Sequence, residues 1–512
     1  MKHNTSKLWA VGVGLSCALA LSACTGGAGS GGGSAEQQTT LRYGSAAALK
    51  SFAPWEARWA GDVAYLQPVY DTLLREDPDG NIKPGLATSW EWDQTRTELT
   101  LKLRDDVKFS DGQALTADVA AGDLTRFRDG TSDNASFLRA LKTAQATDAH
   151  TLVLTLSEPD PAFLVYLSQN AGIIGSPSMW NSPDAKTSPV GSGPYELSKD
   201  ESVVGSKYVF KKKADYWDPE SVRYDQIEVN VYPDSTALVN ALKSGQLDVS
   251  ASNTPTQIPD AKASGYEANL TELNWAGFLL VDREGKTNPA LGDVRVRQAI
   301  NHALDRKGLV QALAAGYATP TTQIFSAGSD AYVADLDNRY PYDPDKAKKL
   351  LADAGYPDGF TLVMPRNNFV PESEFAVYAE QLNAVGIKVQ WEQTGDDLFP
   401  KMLGGTWSAF PFQLQSDPTA WQTLQFAVLP SATWNPFHVT NPELAALAAK
   451  LQTAEGEEAT AVAKQVNEWL VDQAWFAPSY RLQSAFFSDA DTKVVMQKDN
   501  IAPYLWNIEP KK

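Results

Sequence analysis

The sequence predicts an α/β fold with more than one domain, and three stretches carry that expectation. Between Tyr342 and Trp391, Asp343-Pro344 starts a helix that Gly355 closes, and Phe360 to Met364 follows as a short apolar strand. Phe375, Ala379, Leu382 and Val385 then share one helix face, and Ile387, Val389 and Trp391 alternate as the next strand. Strand, helix and parallel strand imply a right-handed crossover in an open sheet. In the second stretch, Ile227, Val229 and Val231 alternate with polar neighbours as a half-buried strand. Asp234 then caps a helix with Ala237, Leu238, Ala241 and Leu242 on one face, and Gly245 ends it. In the third, Leu99, Leu101 and Leu103 alternate ahead of an Asp111-Gly112 turn and a helix capped by Thr116. A chain of 512 residues is long enough for two or three such cores.

At the start of the chain, Lys2 and Lys7 precede an apolar run from Leu8 to Leu21 that is too short to span a membrane comfortably. Residues 1–23 therefore read as a secretory signal. The signal ends in Leu21-Ser22-Ala23-Cys24, which resembles a bacterial lipobox with cleavage before Cys24 and lipidation of its thiol. Two or three acyl chains there would hold the protein at a membrane surface, where a single chain would not. The Gly/Ser-rich stretch to Thr40 is expected to be a flexible tether reaching roughly 20 Å over about 16 residues. Cys17 leaves with the signal, so the mature chain has no disulfide and rests on its cores alone. The formal charge is -18, and removal of Lys2 and Lys7 leaves about -20. Acidity of that size argues against nucleic acid as a partner and says little about a small ligand.

Along the mature chain, Leu41 to Gly44 opens a strand and Val63 to Leu74 reads as a helix, with Trp55, Glu56, Arg58 and Trp59 crowded between them. Thr151 to Leu156 is a further strand. Gly191 and Gly193 permit a tight turn before Pro194 fixes φ at the next strand. Asp293 and Asp305 each cap a helix, Asn441 caps another, and Pro478 to Phe487 is a return strand. Several of these stretches form motifs: Gly191–Tyr195 (GSGPY), Ala214–Trp217 (ADYW) and Ala241–Asp248 (ALKSGQLD), in that order. To them are added Leu86 to Asp118, RVRQAINHALDR from Arg295, the window Trp407 to Trp421, and Asn435 to Ala454.

This set resembles the solute-binding proteins of ABC importers in the dipeptide, oligopeptide and nickel group, the bacterial extracellular solute-binding protein family 5. Ser192, Ala214 and Ser110 stand where that family more often has Thr, Asn and His. The resemblance covers nearly all of Leu41 to Trp506. It implies a two-lobe, periplasmic-binding-protein-like α/β fold (class II) with an extra subdomain in the first lobe. Lobe I would take 41–278, including the subdomain at about 82–189; lobe II would take 279–484, and 485–512 would return to lobe I. It also implies a monomer that closes on a ligand by a hinge and delivers it to a membrane permease, with no cofactor.

The resemblance places Trp55, Arg58 and Trp59 toward the ligand from lobe I. Met364 to Phe369 follows a strand at its carboxyl end, where open sheets bind ligands, so Arg366 and Asn368 are expected as polar anchors beside Phe369. Trp407, Phe410, Phe412 and Trp421 are expected as apolar or stacking walls, with Gln413, Gln415 and Asp417 as polar contacts. Peptide-binding relatives place an Asp at the position of Leu414, where it pairs with the peptide's α-ammonium. A leucine cannot neutralise an ammonium, so that anchor is missing or supplied elsewhere. Peptide is the expected ligand. An oligosaccharide or a nickel chelate is the alternative, as is a receptor that senses peptide without transport. His438 is the one histidine in a candidate ligand loop, and His302 has no metal-spaced partner. Arg295 and Arg297 read as scaffold. No His-Glu-x-x-His, Gly-x-Ser-x-Gly, Cys-x-x-Cys or Walker glycine loop is present, so no enzyme activity is expected.

Overall fold

Two long antiparallel strands, Glu267–Leu280 and Phe476–Ser488, organise the molecule. The computed structural model describes residues 39–511 apart from 60, 253, 367–369, 371, 396 and 499. Cys24, the tether as far as Gln38, Asn368 and Phe369 lie outside the described residues. Thr40, expected as the last residue of the tether, instead opens a strand because it pairs with Gln226. Among the described residues the two long strands lie side by side in a nine-stranded sheet, one strand in from its Ala409–Gln415 edge. Its order is Tyr195–Leu197, Lys207–Lys212, Gln226–Val231, Thr40–Ser45, Val249–Ser252, Phe476–Ser488, Glu267–Leu280 and Ala409–Gln415, and Ala318–Pro320 branches from Phe476–Ser488. Thr40–Ser45 is parallel to both of its neighbours.

Each long strand serves both halves of this sheet. Ser488 to Ala485 pairs with Val249–Ser252, while Leu482 to Tyr480 pairs with Ala318–Pro320. The first half packs around Leu41, Tyr65, Phe210, Ile227 and Phe486, and the second around Phe278, Ile300, Met364, Tyr378 and Tyr480. The register of the long pair slips between Glu272 and Asn274 and again between Ala276 and Gly277, so bulges bend it between the two halves. The boundaries expected at 278/279 and 484/485 fall inside these strands.

Most of the local expectations follow from caps that the structure contains. Asp234 accepts the amide of Ala237 at 2.8 Å to start Ser235–Lys243, and Thr116 accepts that of Val119 to start Ala117–Asp129. Asp293, Asp305, Asp343 and Asn441 cap four more helices in the same way. Glu98–Leu103 and Thr151–Leu156 join Ala87–Trp92 and Leu141–Asp148 in a separate four-stranded antiparallel sheet, against which Ala117–Asp129 packs. Two expectations need correction. Phe360–Arg366 and Ile387–Gln393 are parallel and joined through Glu372–Ala384, but they form their own two-stranded sheet rather than part of the open one. The helix read over Val63 to Leu74 is a single turn, Val63–Leu66, because Pro68 has no amide hydrogen with which to continue it.

That break has a structural consequence. Past Pro68 the chain places Asp71, almost fully buried, where four donors converge on its carboxylate. Ser192 Oγ donates at 2.9 Å, Tyr216 Oη at 2.7 Å, Trp217 Nε1 at 2.9 Å and Arg75 Nη2 at 3.0 Å. The GSGPY and ADYW motifs therefore meet on one carboxylate. The turn can approach only because it lacks side chains: a Cβ on Gly191 would lie 2.0 Å from the Val69 carbonyl oxygen, and one on Gly193 2.5 Å from the Tyr70 amide nitrogen.

Candidate functional site

A cavity of ≈ 170 Å³ lies between the inserted four-stranded unit and the segment that follows the edge strand Ala409–Gln415. One side is formed by the short turn Ala135–Leu138 and helix Phe163–Ser168, which supply Phe137, Arg139, Tyr166 and Gln169. Phe137 stacks on Tyr166 with ring centroids 4.5 Å apart, which fixes that wall. The other side is Gln415, Asp417 and Pro418, followed by Gln422, Gln425 and Phe426. Thr419 and Gln422 form a capping box at the start of Ala420–Thr423, so the chain turns sharply just after Asp417. The wider π-helical turn Leu424–Val428 then carries Gln425 and Phe426 to the cavity, and such turns recur at functional sites.

Hydrogen bonds already bridge the two sides. Tyr166 Oη donates to Gln425 Oε1 at 2.8 Å, and Gln425 Nε2 donates to Asp160 Oδ2 at 3.2 Å. Gln452 Nε2 donates to the Pro159 carbonyl at 2.9 Å, and Arg96 pairs with Glu455. Burial raises the Asp160 carboxyl to about 6, in spite of the amide of Ala162 and the Gln425 side chain that donate to it.

Asp417 is the distinctive charge of the cavity. Among the described residues nothing donates a hydrogen bond to its carboxylate, and enclosure by protein pushes its pKa up to about 7. Opposite it, Arg139 lines the cavity from the inserted unit and forms no ion pair among the described residues. Leu414, by contrast, is buried in the core opposite Trp275 of the long strand. Leu414 therefore offers the cavity no anion, whereas Asp417 does.

The cavity brings together three of the expected site residues: Trp59, Gln415 and Asp417. Trp59 is held by its amide, which donates to Asn134 Oδ1 at 3.0 Å, and by an edge contact with Tyr504. The other expectations are not met at this cavity. Arg58 lies in a neighbouring small pocket and is paired with Asp62, while Trp55 packs on the first-half core. Phe410 is fully buried and Trp421 nearly so, because both face the core rather than the opening. Phe412 packs on Trp434 at 4.8 Å, and Gln413 does not line the cavity. The Trp407 indole donates to Glu392 and lines a separate open groove with Thr361 and Val363. Arg366 pairs with Glu372, stacks over Phe375 and does not line this cavity.

Arg139, Phe137, Tyr166 and Gln425 were absent from the sequence expectations. Only the tertiary fold brings 133–169 against 415–433. Arg297 binds the Leu291 and Gln473 carbonyls, in keeping with a scaffold role. The ring of His302 hydrogen-bonds the Pro341 carbonyl and that of His438 the Pro430 carbonyl. Among the described residues no cluster of three metal-binding side chains occurs, and no helix is long and apolar enough to cross a membrane.

A likeness to solved structures places this architecture among the two-lobe binding proteins. HbpA2 from Haemophilus parasuis superposes with a TM-score of 0.81 at 22% identity, over 92% of this chain and 100% of that one. DppA from Helicobacter pylori, in complex with the peptide STSA, superposes with 0.76 at 20% identity, over 93% and 99%. NikA from Brucella suis, in complex with Fe(III)-EDTA, gives 0.76 at 21%, over 92% and 100%. At such identities the likeness concerns the fold alone. Residues 81–435 match the family model "Bacterial extracellular solute-binding proteins, family 5 Middle", and the chain belongs to that family. It is also similar to the glutathione-binding protein GsiB of Escherichia coli (strain K12), 31% identical over 350 residues. That match spans 66% of each chain, slightly under two thirds of the relative's length.

Proposed function

We propose that this protein captures short peptides in the cleft around Asp417 and passes them to an ABC permease. The observation that carries this reading is the unpartnered Asp417 carboxylate, enclosed in the cavity and able to accept an α-ammonium. It takes over the role that Leu414 cannot fill. The names of the relatives, peptide and glutathione binders among them, support the same ligand class. Hexose stacking finds less support, because Phe410, Trp407 and Trp421 are buried or turned elsewhere and leave Trp59 as the indole at the cavity. Titration calorimetry with a small peptide library, each member paired with its N-acetylated form, tests the reading. Free amino termini are expected to be required, and equal binding of acetylated peptides would exclude Asp417 as the anchor.

Binding should also follow pH with a defined sign. Protonation near pH 7 removes the charge that holds the ammonium, so affinity falls as pH drops. A Kd on the order of 100-fold weaker at pH 5 than at pH 8 is expected from a pKa of about 7. A flat profile across that range, measured calorimetrically, would refute the assignment.

In this reading lobe I comprises 41–278 with 485–512, lobe II comprises 279–484, and the bulged long strands act as the hinge of a monomer. Cys24 carries the lipid anchor, and the residues ahead of the strand that opens at Thr40 tether the domain to the membrane's outer face. Cys24→Ala is expected to shift the protein from the membrane pellet to the soluble fraction after cell disruption. Continued sedimentation with membranes would rule out the anchor.

A further inference from the structure

Where the first long strand ends and the second begins, the chain buries a cation that no described carboxylate pairs with. Leu279, near the end of Glu267–Leu280, pairs with Phe476, which opens Phe476–Ser488. Arg283 follows shortly after and folds back over that junction. Its guanidinium carbon lies 4.2 Å from the centre of the Trp475 ring and 5.1 Å from that of Phe476. Nε donates to the Trp475 carbonyl at 2.9 Å. Nη1 and Nη2 are shielded from solvent and meet no acceptor among the described residues, and the same holds for the Trp475 indole Nε1. Arg283 is 5% exposed and Trp475 3%. Three nitrogens, all donors, are thus left on one stacked pair of side chains.

Nearby charges deepen the imbalance. The charge that acts on Arg283 is that of Arg297, a second buried cation whose own donors go to the carbonyls of Leu291, Gly292 and Gln473. Asp282, next to Arg283 in the chain and fully buried, accepts the amides of Lys286, Thr287 and Asn288 and the Thr287 hydroxyl. Glu443 accepts the Trp469 indole N–H at 2.9 Å, and Trp469 packs on Trp475. Burial, with Arg297, pushes the Arg283 guanidinium well below the ordinary arginine range. Arginine does not give up its proton inside a protein, so this push is the cost of an uncompensated charge. Aromatic faces offset part of that cost but supply no acceptor in the plane of the Nη protons. Buried donors around a positive charge, with no acceptor of their own, have the chemistry of an anion site.

We propose that Arg283, with the Trp475 indole, binds a chloride-sized anion at the junction of the two long strands. The close cover over these donors suits a single desolvated ion better than a polyatomic one such as phosphate. The ion neutralises the buried guanidinium and stabilises the point where one long strand ends and the other begins. None of these residues lines the Asp417 cavity, so the site is separate from the cleft.

Thermal unfolding of the intact protein in sodium chloride and in sodium gluconate at equal ionic strength tests this, for the wild type, Arg283→Met and Trp475→Phe. The wild type is expected to melt about 2 °C higher in chloride, as for any ion that binds the folded state alone. Arg283→Met is expected to melt at the same temperature in both salts. Trp475→Phe keeps a ring under the guanidinium and removes one donor, so it should need several-fold more chloride for the same rise. Equal melting of the wild type in the two salts overturns the proposal, as does a chloride response that survives in Arg283→Met. Should Arg283→Met fail to fold, wild-type crystals soaked in bromide decide the matter. An anomalous peak within hydrogen-bond reach of the Arg283 Nη atoms is expected, and its absence overturns the site.

Discussion

Asp417→Asn weakens binding of a peptide with a free amino terminus by about 30- to 1,000-fold, as truncation of a buried charge pair costs roughly 2–4 kcal/mol. N-acetylated peptides, which make no such pair, bind the variant and the wild type alike. The same substitution has an opposite effect on the empty protein. The folded-state pKa of Asp417 is raised to about 7 against an ordinary value of 3.8, so the folded protein holds this proton where the unfolded chain has lost it. The contribution of this group to stability is therefore most favourable below pH 4 and is lost as pH rises to 7. Asn removes that loss, so the ligand-free variant is expected to melt at a higher temperature than the wild type at pH 8, with the difference shrinking toward pH 4. Thermal unfolding across pH checks this directly. A variant that binds free peptides normally, or that melts lower at pH 8, would show that Asp417 has a partner in solution.

Asp71→Ala lowers the unfolding free energy by about 3–5 kcal/mol, the range for removing one partner of a buried charged network. Four donors lose their acceptor at once: Ser192, Tyr216, Trp217 and Arg75. Arg75 keeps its second partner, Asp218, at 2.6 Å, so its charge is not left wholly uncompensated. The loss therefore falls mainly on the neutral donors and on the packing of the glycine turn. Denaturant unfolding with an unchanged slope and a lower midpoint is the expected result. A change below 1 kcal/mol would mean that the turn and the ADYW loop hold together without the carboxylate.

The helix starts were legible because each depends on one local side chain. Asp234, Thr116, Asp293, Asp305, Asp343 and Asn441 act on amides two or three residues away, and no distant contact is needed. The failure at Val63 to Leu74 was local too, since Pro68 stands in plain view within the stretch. The site was harder to read. Aromatic richness between Trp407 and Trp421 marks an apolar surface but not the side it faces. Residue parity held more information: Phe410, Phe412 and Leu414 lie on one face of the strand and Gln413 and Gln415 on the other. Asp417 was within reach of the sequence because it follows that strand. Arg139 and Tyr166 were not, because their place at the cavity depends on how the inserted sheet docks some 270 residues before the segment it meets.

The position of Phe476–Ser488 constrains how this molecule is made. It lies inside the large sheet, flanked by Val249–Ser252 and Glu267–Leu280, yet it is synthesised after every other strand of that sheet. Neither half can complete its hydrogen-bond ladder until this segment threads between partners made more than 190 residues earlier. Contacts of such long range make for slow folding. For a chain whose family works outside the cell, the order of synthesis keeps the sheet unclosed through most of translation, when a prematurely compact body would be hardest to export.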